Sequence, residues 1–150
     1  MPRHYQRTHG FTLIEVILVI GLIGLLAGLA IPLYQRFQVS SELDDTAHGV
    51  TQSLRFAQAR AMASDGWQAY GVHFEDTRYV VFAGTEYQAD DPQNEATDIP
   101  SVLRLAPEYT DVVFDRVTGQ TSMAGAIKIQ TDGTESRMIT INELGIIDEQ

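Results

Sequence analysis

Two textures of apolar positions divide the chain. Residues 11 to 33, FTLIEVILVIGLIGLLAGLAIPL, are apolar at almost every position, with Glu15 the one charge in 23 residues. At a rise of about 1.5 Å per residue the run is about 34 Å long, enough for a hydrocarbon core of about 30 Å, and it predicts a transmembrane helix. Beyond Leu33 the apolar positions thin out. Phe37, Val50, Leu54, Ala57 and Ala61 then recur at steps near three and four, while Arg36, Glu42, Asp44, Asp45, Gln52, Arg55 and Arg60 suit a wet face. The helix is therefore expected to continue as an amphipathic segment over 34–65, ended by Asp65-Gly66 because glycine readily turns left-handed.

After Trp67 the period shortens. Runs at 68–74, 77–83, 102–106, 112–114, 126–131 and 138–142 read as strands, separated by turn signals at Glu75-Asp76, Thr118-Gly119 and Asp132-Gly133. Gly71-Val72-His73-Phe74 followed by Arg78-Tyr79-Val80-Val81-Phe82 predicts a hairpin. The expected class is α+β, a long N-terminal transmembrane and assembly helix packed against a small antiparallel β-sheet head. Its expected divisions are a leader at 1–10, the membrane helix at 11–33, the amphipathic continuation at 34–65 and the β-rich head at 66–150.

Charge sharpens this picture. The 150 residues carry a net charge of −10, and loss of Arg3 and Arg7 with a leader would take it to −12. Such a head repels phosphate backbones, so no nucleic-acid partner is expected. Arg3 and Arg7 before the apolar run, with an acidic chain beyond it, place the amino terminus in the cytoplasm and export the head. The chain has no cysteine, hence no disulfide framework, and His4, His9, His48 and His73 lack the spacing of a metal site.

The junction between leader and apolar run holds the candidate chemistry. An ordinary secretory signal has a shorter apolar stretch with a small-residue cleavage site on its far side, which Ala27 and Ala30 could imitate. Gly10-Phe11-Thr12-Leu13-Ile14-Glu15 argues otherwise: a glycine closes the basic leader, and a carboxylate follows five residues later. Glycine lets backbone approach a peptidase closely, having no Cβ. A glutamate at mid-bilayer costs about 2.5–3.5 kcal/mol, less near the interface, so Glu15 needs a partner or must reach the interface.

RTHGFTLIEVILVIGLIGLLAGLAIP is similar to the prepilin amino-terminal motif of type IV pilins and type II secretion pseudopilins, over about the first 36 residues. The resemblance implies a pilin-like fold and a prepilin peptidase that cuts between Gly10 and Phe11 on the cytoplasmic face. It also implies N-methylation of Phe11 and retention of the helix in the mature protein. Glu15 would then neutralise the new α-amino group of a neighbouring subunit. Pro32 removes a backbone donor and should kink the helix, with Gly28 to Pro32 a joint of the kind the family loosens on assembly. Gly24 and Gly28 form a small-xxx-small pair that permits close helix approach.

The head resembles, more narrowly, the GspH/FimT group of minor pseudopilins and minor pilins. The residues concerned are Leu54 to Ala63, Gly71 to Phe74, Val113 to Arg116 with Gly119, and Ile139 to Asn142 with Leu144-Gly145. That likeness implies two β-sheets beside the helix. It also implies partners: prepilin peptidase, other pilin or pseudopilin subunits, the bacterial inner membrane and exported cargo. The expected location is a single inner-membrane pass with the head periplasmic, then incorporation into a pilus or pseudopilus.

The remaining chemistry is sparse. Glu86, Asp90, Asp91, Glu95 and Asp98 could supply oxygen ligands to calcium, but they lack a regular glycine-containing loop, and a solvated variable loop is the preferred reading. Tyr70, His73, Glu75 and Asp76 could be imagined as acid and base groups; a strand-and-turn cluster is the structural alternative. No phosphate loop, G-x-S-x-G or H-E-x-x-H occurs, so neither an enzyme nor a cofactor is expected. The expected function is a minor pseudopilin of a type II secretion pseudopilus. The alternative is a FimT-like minor type IV pilin in pilus initiation, adhesion or DNA uptake.

Overall fold

A computed structural model describes residues 10–150, apart from the side chains at 29–33, 35 and 36. The chain forms two units, 1–38 and 39–150, and helix α1 (Leu13–Met62) contributes to both. The leader residues before Gly10 and the side chain of Pro32, with its expected kink, lie outside the described residues.

The second unit builds its core on one stripe of α1. Leu43, Ala47, Val50, Leu54, Ala57 and Ala61 are all fully buried, at steps of three and four, as the periodicity predicts. Phe37, read from sequence as part of that apolar face, is instead exposed, and the core stripe starts at Leu43. The helix stops at Met62 through Ser64, which takes the left-handed conformation (φ 53°, ψ 37°) two residues before the expected glycine. Gly66 (φ 59°) then turns the chain within a single 3-10 turn, Asp65–Trp67.

Two antiparallel sheets of four strands each follow. Sheet A, in the order β3-β2-β1-β5, contains β1 (Tyr70–Phe74), β2 (Arg78–Ala83), β3 (Glu95–Asp98) and β5 (Asp111–Phe114). Sheet B runs β4-β6-β7-β8, from β4 (Leu103–Pro107), β6 (Gly125–Thr131), β7 (Ser136–Ile141) and β8 (Ile147–Glu149). The expected hairpin is β1 on β2, with Val72 opposite Val81. Its register puts Val72, Phe74, Tyr79 and Val81 into the core. Gly71 is required there, because a Cβ would stand 2.6 Å from Cζ of Phe82 and 2.8 Å from the Val112 carbonyl.

Sheet B supplies Leu103, Leu105, Ile127, Ile129, Ile139 and Ile141 to the same core. Burying each such side chain is worth about 1.5–3 kcal/mol, so stripe and sheets form a self-sufficient interior. Two strands differ from the sequence reading. Glu95–Asp98, read as the end of a solvated loop, pairs as β3 with β2, and Ile147–Glu149 closes sheet B as β8. Both are short and largely polar, so no alternation marks them; their partners recruit them through backbone hydrogen bonds.

Candidate functional site

The amino-terminal site is a helix start. Thr12 precedes the first residue of α1; its Oγ1 accepts the Glu15 backbone N–H at 3.3 Å, and its carbonyl accepts the Val16 N–H at 3.2 Å. Thr12-Leu13-Ile14-Glu15 is thus a capping sequence, with threonine as N-cap and glutamate three residues on. The T-x-x-E spacing that signals this cap is visible in the sequence. The cap fixes where the helix begins, and so leaves Gly10 and Phe11 outside it. Among the described residues nothing lies within 4 Å of where a Cβ on Gly10 would stand.

Glu15 sits in the first turn, where the positive end of the helix dipole favours a carboxylate. Around it the helix is apolar on every side. Phe11 is 84% exposed, and the large apolar residues from Leu13 to Leu26 range from 45% to 80%. A helix apolar all round is stable only when lipid or other chains cover it. Among the described residues no helix is long and apolar enough to cross a membrane. From Leu13 to Gly28 the run covers about 22 Å of α1, and the side chains at 29–33 fall outside the described residues.

In the head, the residues behind the narrower resemblance converge. Gln58 Nε2 donates to the carbonyls of both Gly119 and Gly145, each at 2.9 Å. Gly145 has φ 77°, and a Cβ there would collide with the Gly119 carbonyl and Gln58 Nε2, so only glycine fits. Val117 N–H donates to the Ala61 carbonyl at 3.1 Å. One glutamine thereby ties the last turns of α1 to two loops.

The imagined acid and base groups do not converge on a single point. His73 Nδ1 lies 2.6 Å from Asp111 Oδ1, its ring stacks on Tyr87 at 3.9 Å, and its Nε2 is 3.8 Å from Glu75. Arg78 donates to Glu75 at 2.6 Å, which holds that carboxyl below its usual range and raises the guanidinium. Tyr70 instead faces the Arg60 guanidinium, 4.4 Å from its ring, while Asp76 lends its backbone carbonyl to Leu105 N–H at 3.0 Å. His73, Glu75 and Arg78 are taken up by neighbours on the strands and turns of the head, while Tyr70 turns toward α1.

Two of the acids in the acidic segment also have partners. Asn94 donates to the Gln88 carbonyl at 2.7 Å, Asp91 accepts from Gln93 N–H at 2.8 Å, and Glu95 accepts from Arg60 at 3.1 Å. Among the described residues no three histidine, aspartate or glutamate side chains are grouped to hold a metal ion.

Residues 5–31 match the family described as the prokaryotic N-terminal methylation motif. No curated protein matches the chain. Two solved structures of the minor pseudopilin EpsH from the type 2 secretion system of Vibrio cholerae share its fold. The first is 19% identical with a TM-score of 0.57, over 73% of this chain and 96% of that one. The second is 18% identical with a TM-score of 0.56, over 74% and 94% respectively.

Proposed function

We propose that this chain, a member of the type IV pilin and pseudopilin superfamily, is a minor pseudopilin that works by assembly and contact and carries out no catalysis. The observation behind this reading is a methylation motif at residues 5–31 joined to a head with the fold of EpsH. Prepilin peptidase then cuts between Gly10 and Phe11, just before the helix begins. Phe11 is then methylated. The helix stays in the inner membrane with the head in the periplasm, until the subunit moves into a pseudopilus.

Assembly follows from the apolar surface of α1 and from Glu15. Cleavage creates an α-amino group at Phe11, and a carboxylate on a neighbouring helix neutralises it where water is excluded. An unpaired charge there would cost several kcal/mol. The head then meets other pseudopilin subunits and exported cargo through its surface. Deleting the gene in the bacterium that encodes it tests the reading: exported proteins should accumulate in the periplasm while surface pili persist. Normal secretion with lost piliation would favour the minor type IV pilin.

A further inference from the structure

The outer edge of sheet A is open, and a groove runs beside it. Among the described residues β3 pairs only with β2, and all four of its residues are exposed. The Ile99 N–H donates to the Thr77 carbonyl at 3.0 Å, so by alternation along the strand Thr97 and Glu95 turn their N–H groups toward β2. Ala96 and Asp98 therefore point theirs outward, unpaired. Edges left without a partner are ordinarily blunted by short length, charge, proline or a bulge; Glu95-Ala96-Thr97-Asp98 is short and both its charges are acidic, so it repels an acidic strand and stays open to a basic one.

Between β3 and α1 lie two adjoining hollows, of about 270 and 500 Å³, which share Tyr79 and Thr97 as walls. Gly49 keeps the floor open to Tyr79, whose hydroxyl would be 2.9 Å from a Cβ at that position. The residues lining the two hollows include Glu42, Asp45 and Asp98, with Glu95 already held by Arg60 at 3.1 Å, and no lysine, arginine or histidine lines either one. A fifth strand would lie about 4.8 Å beyond β3, with alternate side chains entering the groove. The acidic walls select those side chains. They favour lysine or arginine and disfavour a second copy of this chain, whose net charge is −10 and whose own β3 is acidic.

We propose that the β3 edge and its groove form a docking site for an extended basic segment of a partner protein, which adds to sheet A as a fifth strand. Backbone hydrogen bonds to Ala96 and Asp98 supply affinity, and the acidic groove supplies selection. The site goes beyond the assembly role and stands without it, because the helix of the first unit takes no part.

The test uses the full chain in detergent micelles and a fluorescent peptide of alternating lysine and threonine, followed by anisotropy. Saturable binding that weakens between about 50 and 200 mM salt is expected, with none for the glutamate and threonine peptide. Ala96→Pro removes an outward N–H that no ladder uses, so the melting temperature should hold while affinity falls about tenfold. N-methylating alternate peptide amides should cause the same loss with the protein untouched. Asp45→Asn with Asp98→Asn should weaken binding and flatten its salt dependence. Binding that survives both Ala96→Pro and peptide N-methylation would overturn the proposal, as would equal binding of the acidic peptide. Self-association of the wild type that Ala96→Pro abolishes would do so too, by making a second copy the occupant.

Discussion

Helix α1 presents apolar residues in both units, and they meet opposite fates. From Phe11 to Leu26 the large apolar side chains are at least 45% exposed, whereas Leu43, Val50 and Leu54 are exposed at 0%. The same secondary structure therefore serves two ends. In the second unit a single stripe is apolar, and the sheets of its own chain cover it. In the first unit the whole circumference is apolar, and nothing within the described residues covers it. Stability of the head is thus a matter of internal packing, and that of the helix a matter of what surrounds it. Substitutions should separate the two.

The largest effect is expected at the cleavage site. Gly10→Val puts a branched side chain beside the bond to be cut, so processing should stop and intact mass should show the leader retained. Next is the head core: Leu54→Ala leaves a cavity among buried side chains and should cost about 2–5 kcal/mol by urea denaturation. Leu18→Ala, on the exposed stretch, should change head stability by less than about 0.5 kcal/mol. Equal losses at the two positions would break the division between the units.

Glu15→Val makes the helix more apolar, so insertion and cleavage should survive while incorporation into filaments drops, as measured in sheared filament fractions. Loss of cleavage as well would move Glu15 to the peptidase step. The head should also fail to bind duplex DNA by fluorescence anisotropy at about 50 to 200 mM salt. Residues 36–150 hold eight lysine or arginine side chains against nineteen acids. Micromolar, salt-sensitive binding would favour the DNA-uptake alternative.

The smallest effect concerns pH. The hydrogen bond from Arg78 lowers Glu75 below its ordinary value, so the pair contributes fully above the unfolded carboxylate pKa of about 4.3 and loses that contribution as pH falls through the folded value. Arg78 is raised, so its side of the pair matters only at strongly alkaline pH. Arg78→Ala should slightly lower the melting temperature at pH 7, by an amount that shrinks as pH falls through the folded value of Glu75.

What the sequence disclosed followed the strength of the local pattern. The steps from Val50 to Ala61 and the runs around Val72, Val80 and Ile129 are apolar enough to announce themselves, and each lies in the structure where the period puts it. β3 and β8 are short, polar and recruited by neighbouring strands, so only tertiary pairing reveals them. Gly10, Phe11 and Glu15 stand out because one glycine and one carboxylate interrupt otherwise uniform texture. Thr12 is inconspicuous in the sequence because its role is a backbone hydrogen bond. The meeting of Gln58, Gly119 and Gly145 joins residues up to 87 positions apart, which no local pattern encodes.

The central claim is that the apolar helix is kept by the mature protein and covered by other chains. Intact mass of the wild-type protein, isolated from membranes that contain prepilin peptidase, tests it most directly. The mature chain is expected to begin at Phe11 and to carry one added methyl group. A chain beginning just after Ala27 or Ala30 would mean that the helix is discarded as a secretory signal, and would contradict the account.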